Sequence, residues 1–220
     1  MTRFVLASLV ASTLASAASA SFTGFSVERV TTAAGNTRYS LYANWSASNL
    51  VFLNAYNWAT AAGSNAMNAR HQDMFTADGE VGTWMAGSSV SSTDRPEDSW
   101  VTASGLATSS GWGTALDPGF TNGGTVQDIN NGAGWYDASP GTANPILAGG
   151  TQGGYRMLLA QMVRTGDDTG YVSNHSLKLA WKVAGTTTAI FGEGSFQFGV
   201  PAPGAMALLG FAGLAGRRRR

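Results

Sequence analysis

Arg38-Tyr39-Ser40-Leu41-Tyr42-Ala43-Asn44-Trp45 is the stretch that decides the fold. In an extended chain Tyr39, Leu41, Ala43 and Trp45 fall on one face and Arg38, Ser40, Tyr42 and Asn44 on the other. A helix would scatter the same apolar set around its circumference, so the stretch is a strand with one buried face. Just before it, Gly35-Asn36 is a turn and Phe25-Ser26-Val27-Glu28-Arg29-Val30 a partner strand, which together make a hairpin. Just after it, Asn49 turns the chain into Leu50 to Trp58. That run is apolar on both faces near Leu50-Val51-Phe52-Leu53, as a strand in the middle of a sheet requires.

The C-terminal third reads the same way. Tyr155 to Val163 is another strand apolar on both faces, and Leu177, Leu179, Trp181 and Val183 alternate with Lys178, Ala180 and Lys182. Ala189-Ile190-Phe191 leads through Gly192-Glu193-Gly194, read as a bulge or tight bend, into Ser195-Phe196-Gln197-Phe198. Between these regular parts the pattern weakens. Ala66, Met67, Ala69, Arg70 and Met74 fit one short helical turn, Asp94-Arg95-Pro96-Glu97-Asp98 reads as a charged loop, and Trp100-Val101-Thr102 resumes strand. From Gly111 to Pro145 turn signals crowd together, among them Asp117-Pro118-Gly119 and Asn130-Asn131-Gly132. Trp112, Phe120, Trp135 and Tyr136 set this stretch apart from disordered chain, which is poor in aromatics. Many short strands, with no uninterrupted amphipathic helix, predict an all-β fold: a single antiparallel β-sandwich, jelly-roll-like, over residues 21–199.

Both flanks of that domain read as signals. Residues 1–20 have the build of a signal peptide: Arg3 as the cationic start, Phe4 to Leu14 as the apolar run, and Ala18-Ser19-Ala20 as the small-residue cleavage site. At the other end Val200, Pro201, Ala202, Pro203 and Gly204 precede an apolar segment containing Ala205, Leu208, Leu209, Phe211 and Leu214, which ends in Arg217, Arg218, Arg219 and Arg220. Cationic residues stay on the cytoplasmic side of a bilayer, so this order is that of a spacer, a short membrane helix and a stop. The apolar run is shorter than the ~20 residues of a spanning helix, so the segment is expected to hold the chain in transit.

This Val-Pro-Ala-Pro-Gly tail resembles the PEP-CTERM sorting signal of bacterial envelope proteins, as in planctomycete-type surface proteins, with Ala202 where the family carries glutamate. The resemblance implies an exosortase-type membrane protease and, transiently, the cytoplasmic membrane as partners. It also implies a final place at the cell surface or outside the cell.

The composition of the body narrows the chemistry. Of 13 basic residues, five (Arg3 and the terminal arginines) lie in the signals, leaving eight against 13 acidic ones, a net charge of about −5. Nucleic acid needs a basic footprint, which this domain lacks. With no cysteine, disulfides and thiol catalysis are excluded and the core alone must hold the exported fold. His71 with Asp73, and His175 with Asp167 and Asp168, are candidate acid–base pairs, but no nucleophile motif accompanies them, and His175 shares parity with Leu177, Leu179 and Trp181 as a structural strand residue would.

No cofactor is expected. Calcium is the open case: Asp167-Asp168-Thr169-Gly170 and the Asn122 to Asn131 loop lack the ligand spacing of known loops, and only backbone carbonyls could complete a site. Trp112, Trp135 and Tyr136, with Asn122, Asp128, Asn130 and Asn131, have the chemistry of a glycan-facing surface, with extracellular polysaccharide as the partner. The leading expectation is a non-enzymatic exported surface or matrix protein. A carbohydrate-binding or carbohydrate-active sandwich is the alternative, with Asp94, Glu97 and Asp98 as the carboxylates that would have to meet across a cleft.

Overall fold

A computed structural model describes residues 21–70, 84, 97–103, 114–120, 126–138, 147–148, 154–166 and 168–199. In chain order its strands are β1 (Phe22–Thr31), β2 (Thr37–Trp45), β3 (Leu50–Thr60), β4 (Ala69–Arg70), β5 (Trp100–Val101), β6 (Thr114–Leu116), β7 (Val126–Gln127), β8 (Trp135–Asp137), β9 (Leu147–Ala148), β10 (Tyr155–Arg164), β11 (Val172–Val183) and β12 (Ile190–Gly199). The alternation of residues 38–45 is realised in β2, where Tyr39, Leu41, Ala43 and Trp45 are buried and the residues between them half-buried. β1 and β10 pair antiparallel along its two edges, and β5 and β9 pair with β10. The second sheet runs β12-β11-β3-β8-β6, every pairing antiparallel. β4 and β7 form a small ribbon of their own.

The protein is therefore an all-β sandwich. The connections β2 to β3 and β10 to β11 both cross from one sheet to the other, so β2 pairs with β10 in the first sheet and β3 with β11 in the second. Rings close the space between the sheets: Trp45 meets Trp181 edge-on at 6.1 Å, Tyr39 meets Phe198 at 5.3 Å and Phe25 meets Phe196 at 5.2 Å. Each such side chain contributes about 1.5–3 kcal/mol on burial, which is how a domain without disulfides holds together.

Two local expectations fail for physical reasons. Gly192 and Gly194 make no bulge, because β12 pairs with β11 without a register shift from Ile190 to Gly199. Rings lie over these glycines instead: a Cβ on Gly192 would sit 2.9 Å from Trp181 and 3.2 Å from Phe22, and one on Gly194 would sit 3.1 Å from Phe25. The helical turn expected around Ala66 to Met74 is also wrong, since Ala69 and Arg70 pair with β7 as strand. Met74 lies outside the described residues.

The same ring contacts give the direction of travel. Phe22 lies by Gly192, and Phe25 by Gly194 and Phe196, so β1 and β12 run the same way on facing sheets. The strand rise from Gly192 to Gly199 then places Ser21 and Gly199 at opposite ends of the sandwich, about 25 Å apart.

Candidate functional site

One bulge in β3 begins the site. Ser176 pairs with Ala59 but Lys178 pairs with Tyr56, so Asn57 and Trp58 together oppose Leu177. Asn57 occupies the left-handed region at φ 57°, where asparagine is among the few side chains tolerated. The extra residue reverses the parity of the remainder of β3. Trp58 is thereby buried, and Thr60 lies beside the inward-facing His175, its partner across the ladder.

Two segments then close over this end of the sheet. Residues 61–68 lie along the start of β11, tied by Asn65 N–H to Val172 O at 3.2 Å and by Ser173 Oγ–H to Asn65 O at 2.7 Å. Residues 128–134 dock on the bulge: Trp58 N–H donates to Ala133 O at 2.9 Å, Gly132 N–H to Trp58 O at 2.7 Å, and Thr60 N–H to Asn131 Oδ1 at 2.8 Å. Asp128 joins the two segments by accepting the Asn68 N–H at 2.6 Å. Between them is a cavity of about 240 Å³. Trp58, Met67, Ile129 and Met162 supply its apolar lining, while Asp128, Asn130, Asn131, Thr60 and His175 supply its polar groups.

His175 is the unusual member. It is 3 % exposed, and the rings of Trp58, Phe196 and Phe198 lie 5.0, 5.7 and 5.3 Å away. Its Nδ1 is 3.2 Å from Thr60 Oγ1, but its Nε2 is buried with no hydrogen-bond partner. Whichever tautomer Thr60 selects, Nε2 is left as an unused donor or acceptor. Desolvation pushes the imidazole down to about 4, so at neutral pH it is uncharged.

The structure brings together only part of the expected glycan surface. Asp128, Asn130 and Asn131 do gather, around this cavity, but the aromatic ring beside them is Trp58. Trp135 is a correction: it is 1 % exposed, packs on Phe120 and Trp58, and donates its indole N–H to Thr102 O at 3.0 Å, so it has no face to offer a sugar. Tyr136 points to the other side of the second sheet, 45 % exposed, in one cross-strand row with Asn54, Ala180 and the 66 % exposed Phe191. Trp112 and Asn122 lie outside the described residues, as do His71, Asp73, Asp94, Asp167 and all of the tail from Val200 to Arg220.

The other carboxylates are occupied structurally. Glu97 is no cleft acid: it ties the β1–β2 turn by accepting from Thr32 Oγ1 at 2.8 Å and Asn36 Nδ2 at 2.7 Å. Desolvation pushes its carboxyl up, and these hydrogen bonds together hold it below the usual range. Asp98 is buried and caps the Ser99 N–H at 2.8 Å. Asp168 accepts from Arg29 Nε at 3.1 and 2.9 Å, from the Arg29 terminal nitrogen and from the Tyr39 hydroxyl. The Arg29 guanidinium, against the cost of burial, holds Asp168 below its ordinary value. Among the described residues no group of three or more His, Asp or Glu side chains is placed to hold a metal ion.

Set against protein-family models, curated proteins and solved structures, the chain matches none.

Proposed function

We propose that this chain is an exported, non-catalytic surface protein whose sandwich is the displayed part and whose C-terminal segment is a sorting tail read by an exosortase-type membrane protease. The observation that carries the reading is where the strands stop. β1 begins at Phe22, just past the Ala18-Ser19-Ala20 cleavage site, and β12 ends at Gly199, the residue before Val200. All the described strands and the whole of the described aromatic core lie within residues 22–199, so the ladders seen here are complete without either flanking segment. The exit point is also held in place. Gly199 has φ 101°, and a Cβ there would fall 1.9 Å from Tyr171 O, so the tail leaves from a strand end packed against the start of β11.

The four terminal arginines resist transfer across the bilayer, and the short apolar run holds the Pro201-Ala202-Pro203 region where a membrane protease reaches it. Replacing Arg217 to Arg220 by serine tests this in the native host. Unprocessed protein released outside the cell is the expected result. Unchanged processing and unchanged location would refute the role of the tail.

A further inference from the structure

We infer that the cavity lined by His175, Trp58, Asp128, Asn130 and Asn131 is a binding site for one neutral sugar unit, either free or at the end of a glycan chain. His175 lines the cavity, but its unpartnered Nε2 is closed off among the rings of Trp58, Phe196 and Phe198, so the polar groups a ligand meets are the carboxylate of Asp128 and the amides of Asn130 and Asn131, beside Trp58. The cavity offers such a ligand what it needs. About 240 Å³ is the share of roughly eight waters, room for a single ring.

The lining selects within that size. An aromatic ring and two methionines provide apolar surface, and the amides of Asn130 and Asn131 are neutral hydrogen-bonding groups. His175 is neutral as well, which leaves Asp128 as the one charge among these residues, and among the described residues no lysine or arginine lines the cavity. Phosphates, carboxylates and uronic acids are therefore disfavoured by the Asp128 carboxylate, while a hydrocarbon would strip water from Asp128 and from the amides of Asn130 and Asn131 without replacing it. A pyranose, with an apolar face and a rim of uncharged hydroxyls, satisfies both sides. Binding is the role this lining fits: glycoside cleavage uses two carboxylates, and among the described residues the lining holds one, Asp128.

The test is isothermal titration of the full-length protein with glucose, mannose, galactose, N-acetylglucosamine and glucuronate. A glucan of two chain lengths at equal mass is run alongside. Binding of at least one neutral sugar, with glucuronate excluded, is expected. Glucan binding that follows the number of chain ends identifies a terminal unit, and binding of the monosaccharide alone identifies a free sugar. Asn130→Ala should weaken the interaction on the order of tenfold, the value of one lost hydrogen bond in a recognition site. Asp128→Asn keeps the oxygen that caps Asn68 and should bring glucuronate up towards the neutral sugar, an arm that stands even if Asn130→Ala fails to fold. No neutral sugar bound at millimolar concentration, glucuronate bound as well as glucose, or discrimination unchanged in Asp128→Asn would each overturn the site.

Discussion

His175→Phe should remove a pH dependence that one buried imidazole imposes on the whole fold. The folded pKa is depressed to about 4, against about 6.5 for an unfolded histidine. The unfolded chain therefore takes up a proton as the pH drops through 6.5, while the folded one does not until near 4. Stability is complete above about pH 6.5 and is lost steadily below it. Integrated between pH 7 and pH 5, this single site costs about 2 kcal/mol, equivalent to a fall of about 1 M in the urea midpoint. The window matters, because Asp168 and Glu97 are depressed carboxylates whose contribution is lost only as the pH falls through their own lower values. Phenylalanine keeps an aromatic ring among Trp58, Phe196 and Phe198, gives up the contact with Thr60, and removes the unmet Nε2. At pH 7 the two proteins should differ by no more than about 1 kcal/mol. Urea unfolding of both at pH 7, 6 and 5 is the assay. Parallel loss of stability in the two would refute the assignment of a buried, neutral His175.

Asn57→Gly should leave stability nearly unchanged, whereas Asn57→Val, forced into the left-handed region at the bulge, should cost about 1–2 kcal/mol in thermal or urea unfolding. Asp168→Ala strips the Tyr39 hydroxyl of its buried acceptor and should cost about 1–3 kcal/mol, read as a lowered Tm. Gly192→Val drives a side chain into the Trp181 and Phe22 rings and should cost about 1–3 kcal/mol with a changed near-ultraviolet circular dichroism. Glu193→Gln, at an exposed ion pair 3.6 Å from Lys178, should change stability by less than about 0.5 kcal/mol.

The sandwich was legible wherever one face of a strand is buried and the other is not. Residues 38–45 and 177–183 carry that alternation openly, and both are strands: Tyr39, Leu41, Ala43, Trp45, Leu177, Leu179 and Trp181 are buried as expected, while Val183 is half-buried and Ala180, expected on the other face, is buried too. The glycines of β12 misled because their reason is long-range: rings of Phe22, Phe25 and Trp181 rest on them, and no local pattern announces that. The site was half legible. Asp128, Asn130 and Asn131 stand in a loop rich in turn residues, and their polar chemistry pointed to recognition. Trp58 and Thr60 share parity with the buried Leu50 and Phe52, because the register shifts at Leu53 and at Asn57 cancel, but no local pattern shows that this end of β3 meets His175 and the 128–134 segment. His175 gave its inward direction through shared parity with Leu177, but nothing in one dimension shows that its outer nitrogen lacks a partner. Trp135 and Tyr136 are adjacent in β8 and so face opposite ways, a consequence of strand geometry once β8 is known to exist.

On the proposed function, a folded sandwich is exported and then parted from its tail. Intact mass of the mature protein isolated from its native host reads both ends at once. The expected product is a chain that begins near Ser21 and has lost Arg217 to Arg220. A soluble protein that retains Met1 and Arg220 would contradict it.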